Sequence, residues 1–144
     1  MPKSKQVAAS SSKRTKMAIK TEKDPRPPVW IGHVVLETDR LKETAEFMRK
    51  LGMRPVFQSH GVSILELRGG THLVLVAKHQ VVAGDAPFDL MVEDLRATHS
   101  QFSSMGLAPS PIEPSTANHT CFTVREPAGH VITFFSNHVS GRPV

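Results

Sequence analysis

The chain has 144 residues, 39% of them hydrophobic and 22% charged, with one cysteine and a formal net charge of +5. That length fits one domain with a real core and leaves no room for a second large one. No apolar run approaches the roughly 18 residues of a membrane span, and the N-terminus lacks the apolar stretch of a secretory signal, so we expect a cytoplasmic protein with no membrane partner. The lone Cys121 gives neither an internal disulfide nor a multi-cysteine zinc site.

The positive charge is not spread evenly. Lys3, Lys5, Lys13, Arg14, Lys16, Lys20, Lys23 and Arg26 stand against only Glu22 and Asp24 in residues 1–28, a local +6, which leaves −1 for the rest of a chain whose total is +5. A domain with no basic excess has no electrostatic footprint for phosphate backbones, so a nucleic-acid partner is not expected. Residues 1–28 are Lys/Ser-rich and end in Pro25, Pro27 and Pro28. Such a composition has little apolar surface to bury, and we expect a disordered basic tail. Two other readings stay open: an arm that touches acidic partners, and translation starting at Met17.

From Val29 the pattern turns apolar and alternating, and residues 29–144 are expected to form the folded domain. Val29–Glu37 reads as a strand. Thr38 or Asp39 then caps a helix to about Leu51, with Leu41, Ala45, Met48 and Leu51 at helical spacing and Gly52 as its stop. Strands over Arg54–Ser59, Val62–Arg68 and Thr71–Ala77 follow, turned at Gly61 and Gly69-Gly70. The order then repeats. Phe88–Val92 is a strand, and Asp94 caps a helix bearing Leu95, Thr98, Phe102 and Met105 before Gly106. Leu107–Glu113, His119–Arg125 and His130–Ser136 supply three more strands. An offset of 54 superposes Leu41 on Leu95, Leu51 on Met105, Gly52 on Gly106 and Pro55 on Pro109. Later the offset is 59, with Gly70 on Gly129, Leu73 on Ile132 and Leu75 on Phe134, the difference falling in the loop over 110–118. The chain is thus read as an α+β fold of two tandem βαβββ modules, about 29–78 and 86–137, each a sheet with a helix on its outer face.

Strand parity separates two faces, because alternate side chains point to opposite sides. Val34, Leu36, Leu73, Leu75, Phe88, Leu90, Ile132 and Phe134 are expected to meet the helices. His33, Val35, Glu37, His72, Val74, Val76, Pro87, Asp89, Met91, Val131, Thr133 and Phe135 are expected to line a cupped mixed sheet.

Three segments resemble signatures of the vicinal oxygen chelate superfamily, which includes glyoxalases, bleomycin-resistance proteins and extradiol dioxygenases. They are Gly32-His33-Val34-Val35-Leu36, Leu51-Gly52-Met53 and the turn Glu126-Pro127-Ala128-Gly129-His130, which is similar to the family's Asp-Pro-x-Gly-Asn turn. The resemblance implies a divalent metal held by the first and last strand of each module. Carried over, those positions are His33, Val74, Pro87 and Thr133, of which only His33 is a usual ligand, so no cofactor is expected. A rearranged His33/His72/Asp89 set, two imidazoles and a carboxylate as in a non-haem iron triad, is the alternative for a metal. The resemblance also implies pairing of modules between two chains, hence a homodimer.

The remaining candidates have plainer readings. His130 is placed pointing away from the cup, while His60, His79 and His138 lie in turns or near the C-terminus. His99 is read as solvent-facing on the second helix. His119 lies in a surface loop or at the cup rim. Glu66 and Arg125 read as charges on an exposed sheet edge, with Arg125 as a carboxylate or phosphate anchor the sharper alternative. Cys121 reads as a small buried hydrophobe.

Two function classes follow. One is a small-molecule-binding protein without a metal, its ligand contacted by His33, His72 and Asp89 among Val35, Val74, Met91, Thr133 and Phe135. The other is a metal-dependent lyase or dioxygenase using the rearranged site; whether the chain is an enzyme is left open, as is a regulatory module recruited by its tail. The tail reading makes a first prediction: deleting residues 1–27 leaves the melting temperature within the few degrees that correspond to about 1 kcal/mol. A large drop in a thermal melt would mean that the tail docks on the domain.

Overall fold

The structure is a computed structural model, and it describes residues 24–115 and 119–136. Most of the basic tail, the loop residues 116–118 and His138 lie outside the described residues. Two four-stranded sheets are present. The first has β1 (His33–Thr38), β2 (Arg54–Gln58), β3 (Val62–Glu66) and β4 (His72–Ala77) in the order β1-β4-β3-β2. The second has β5 (Leu90–Val92), β6 (Glu113–Pro114), β7 (Thr120–Arg125) and β8 (Val131–Ser136) in the order β5-β8-β7-β6. The orders are the same, as a duplication requires. Helix α1 (Leu41–Lys50) packs on β3 and β4, and α2 (Leu95–Ser104) packs on β7 and β8, the equivalent strands. Gly52 and Gly106 follow the two helices with φ of +112° and +76°, the left-handed backbone that stops a helix and favours glycine.

Parity held. Leu36, Leu65, Leu73, Leu75, Phe122, Val124, Ile132 and Phe134 are buried on the helix side, and with Met48, Leu95 and Phe102 they belong to one continuous core. Phe122 and Phe134 stack at 5.3 Å with their rings 8° apart, and Phe102 meets both edge-on. Leu41 and Leu95 are not equally sunk: Leu95 is buried, whereas Leu41 is half-buried at the margin and Thr44, Phe47 and Met48 fill the interior.

Several boundaries differ from the sequence reading. β1 begins at His33 rather than Val29, because its parallel partner β4 begins at His72; Val29, Trp30 and Ile31 stay exposed. The strand expected over Leu107–Glu113 shrinks to Glu113–Pro114. Prolines at 109, 111 and 114 remove ladder donors, and Ser110 alone pairs with Thr123, through its backbone N–H at 2.9 Å and its hydroxyl at 2.8 Å. β5 is shortened to three residues, with Pro87 lacking a donor just before it. His99 is not solvent-facing. It is half-buried, edge-on to Phe122 at 5.1 Å, with its Nε2 at 2.8 Å from the Ser110 carbonyl.

Asp94 caps α2 as expected, accepting from the Ala97 N–H at 2.9 Å. At α1 the cap differs: Arg40 is the cap residue and makes no side-chain cap. Thr38 accepts the Arg40 N–H at 3.0 Å, and its own hydroxyl turns inward. There it lies 2.8 Å from the Thr44 hydroxyl, which donates to Glu126 Oε2 at 2.8 Å. Thr44 spends its single proton on the carboxylate, so Thr38 is the donor to Thr44. Glu126 Oε1 accepts the His130 backbone N–H at 3.0 Å and ring Nδ1–H at 2.6 Å. All four side chains are buried. This relay joins the first module to the β7–β8 turn of the second.

Thr44→Val keeps the shape but leaves Glu126 Oε2 and the Thr38 hydroxyl without their partner. A buried group so orphaned costs about 1–3 kcal/mol. Denaturant melts should show a loss of that size for Thr44→Val and a smaller one for Thr44→Ser, which keeps the hydroxyl; equal losses would mean that packing alone accounts for the site.

Candidate functional site

The side of each sheet away from its helix is lined by rows of paired residues. In the first module the register sets His33, His72, Glu66 and Arg54 abreast across the four strands. The next row is Val35, Val74, Ile64 and Phe57. In the second module Met91, Phe135, Cys121 and Glu113 form one row, and Thr133 pairs with Thr123. Asp89 precedes β5 with the parity of Met91, and it is exposed. Apolar side chains on these faces remain open to solvent, with Val35 at 49%, Phe57 at 54% and Met91 at 57% exposure. Each lies on the side opposite a fully covered core, so the exposure belongs to the faces rather than to loose packing.

His33 and His72 are brought together: their ring centroids are 5.6 Å apart and the rings are tilted by 54°. Parallel pairing of β1 with β4 at these two residues is the cause. Their row ends in an ion pair, Arg54 Nη2 to Glu66 Oε1 at 2.9 Å. Glu66 is therefore not on a free sheet edge. It lies on an inner strand, beside the histidines and matched by an arginine. Arg125, at the end of β7, is exposed and donates to the Gly129 carbonyl at 2.9 Å. Cys121 is half-buried rather than sunk in the core, in the row of Met91 and Phe135. His119 lies just before β7, half-buried, with its ring edge-on to Phe135 at 5.5 Å, which is the rim position rather than the open loop.

The donor set does not fit a divalent ion. Val74 and Pro87 offer no side-chain donor, and among the described residues no three His, Cys, Asp or Glu side chains form a group able to hold a metal. His33, His72 and Asp89 thus do not converge as one site, and only the imidazole pair forms. What the pair provides is a hydrogen-bonding patch at the end of an apolar row, suited to the polar end of a ligand whose body lies against Val35 and Val74.

Sequence reasoning missed two features. The Arg54–Glu66 pair beside His33 and His72 depends on the β2–β3 register, which slips at a bulge between Pro55 and Phe57 and cannot be read from spacing. The burial of Glu126 and His130 was hidden because both looked like turn residues; a Glu preceding a proline turn and repeated by a His four residues on was the available signal.

Among solved structures the fold recurs. A lactoylglutathione lyase from Agrobacterium tumefaciens is 17% identical with a TM-score of 0.67, the match covering 81% of this chain and 99% of that one. A bleomycin-binding protein complexed with bleomycin is 21% identical with a TM-score of 0.62, covering 76% and 99%. A bleomycin resistance determinant encoded on transposon Tn5 is 21% identical with a TM-score of 0.64, covering 77% and 100%. At such identities the likeness speaks to the fold alone. No curated protein matches the sequence. The sequence profile of the Glyoxalase/Bleomycin resistance protein/Dioxygenase superfamily matches residues 30–134, and with the duplicated βαβββ modules described above the chain belongs to that superfamily.

Proposed function

We propose that this protein binds a small molecule on the open faces of its sheets, without a metal or other cofactor, and works as a cytoplasmic homodimer. The observation that carries the proposal is the His33–His72 pair at the end of a row of exposed apolar residues. Ligand sites are mostly apolar with a few convergent polar groups, and this face has that make-up. His33 and His72 supply the polar contacts beside Val35 and Val74, and Asp89, Met91, Thr133 and Phe135 offer a further contact surface on the second sheet. The bleomycin-binding relative, of the same fold, was solved with its small molecule bound. A donor set poor in metal ligands favours binding over metal-dependent catalysis.

The exposure of the sheet faces supports the homodimer reading. Val35, Phe57 and Met91 each leave about half their surface in solvent, and a second copy would cover such faces and deepen them into a groove. No helix among the described residues is long and apolar enough to cross a membrane, and the proposal includes neither a membrane nor a nucleic-acid partner.

Chemical-shift mapping against a mixed small-molecule library is the direct test, run with sedimentation to fix the mass. We expect saturable shifts at His33, His72 and their row neighbours, and a particle of twice the chain mass. Shifts confined to the outer faces of α1 and α2, or a monomer at every concentration, would contradict the proposal.

A further inference from the structure

The histidines of the strands and helices differ in what their rings already hold. His99 has a ring nitrogen 2.8 Å from the Ser110 carbonyl, His119 has one 3.3 Å from that of Ser136, and His130 is bonded to Glu126. His33 and His72 are another case. Among the described residues neither ring makes a hydrogen bond or an ion pair, and they lie side by side with centroids 5.6 Å apart. Their N–H groups are left to solvent or to a ligand.

The charge of the row they share has a fixed sign. Glu66 pairs with His72 across β3 and β4, and Arg54 holds its carboxylate at 2.9 Å, so −1 and +1 cancel. Each imidazole adds 0 or +1. Whatever the state of its rings, the row is neutral or positive and never negative. Asp89 stands on the second sheet and does not join it. Glu37, four residues beyond His33 on β1, has Lys78 at 3.6 Å.

The next residues of the two strands are apolar. Val35 and Val74 follow His33 and His72 by two positions, about 6–7 Å along the strands, and are themselves paired. Val35 leaves 49% of its surface open. A polar end at the imidazoles therefore continues into an apolar surface the length of a ring.

We propose that the small molecule bound at this face is a carboxylate with a short apolar body. The inference rests on the reading of the face given above and adds the ligand's class. One carboxylate oxygen accepts from an N–H of His33 and the other from an N–H of His72. Hydrogen bonds of about 2.8 Å to the two oxygens of one carboxylate reach across rings so spaced, and an imidazole in either protonation state has an N–H to give. The body lies over Val35 and Val74. An ammonium would find the carboxylate of the row already held by Arg54. A neutral amide would forgo charge-assisted bonds, which are about twice as strong as neutral ones.

The test uses the full chain with ¹⁵N-labelled histidine, titrated at constant ionic strength with benzoate, benzamide and benzylammonium. Benzoate should shift the ring resonances of His33 and His72 saturably, with benzamide at least about tenfold weaker and benzylammonium without saturable effect. Arg54→Gln, at a side chain 75% exposed, leaves the Glu66 charge unbalanced beside His72 and should weaken benzoate about fivefold. Equal responses to benzoate and benzamide, a saturable response to benzylammonium, or an unchanged benzoate affinity in Arg54→Gln overturns the inference and leaves the reading of the face standing. Silence of both rings toward benzoate also overturns it; silence toward the mixed library as well overturns the reading of the face too.

Discussion

At the junction of the two modules sits a carboxylate buried away from the surface. The Glu126 side chain is wholly buried, and removing a charge from water costs several kcal/mol unless its oxygens are satisfied. Here both are, by donors from two different modules: the Thr44 hydroxyl of α1, backed by Thr38 at the end of β1, and the backbone and ring of His130. Separating the modules would break the Thr44–Glu126 bond and leave one carboxylate oxygen and the Thr44 hydroxyl without each other. The relay therefore fixes how the first module's β1 and α1 meet the turn before β8, and that in turn fixes which faces can be open.

The consequence is a division of labour between faces. The helix sides merge into one core from Leu36 and Met48 through to Phe122 and Phe134, so they have nothing left to offer a ligand. The opposite faces are the ones left open to solvent. On the first of them, parallel pairing of β1 with β4 sets two imidazoles side by side. The scaffold that aims side chains from these strands is independent of which side chains are aimed, so members of one superfamily need not share a ligand.

Much of this was legible in the sequence, because the signals were periodic. The offset that lays Leu41 on Leu95 and Gly52 on Gly106 revealed the duplication, and alternation along the strands sorted His33 and His72 from Leu73 and Leu75. What stayed hidden depended on pairing across strands or on distant partners. The company of Glu66 required the register of β2 on β3, including its bulge. Thr38 looked like a helix cap, and its inward hydroxyl is explained only by Thr44 and Glu126, the latter 82 residues beyond Thr44. Prolines at 109, 111 and 114 were visible but were given too little weight against the β-like pattern of Leu107–Glu113. Neither His33–His72 tilt nor the failure of Asp89 to join them could be read from parity, which fixes a face but not a distance.

The account's central claim is that this member of the superfamily meets its ligand with imidazole and apolar side chains rather than through a metal ion. Elemental analysis of protein purified without a metal-affinity tag tests it most directly, because a tightly held ion survives purification and stabilises the folded state by mass action. The account predicts far less than one divalent ion per chain and a melting temperature unchanged by chelator. One ion per chain, lost on His33→Ala, would contradict it.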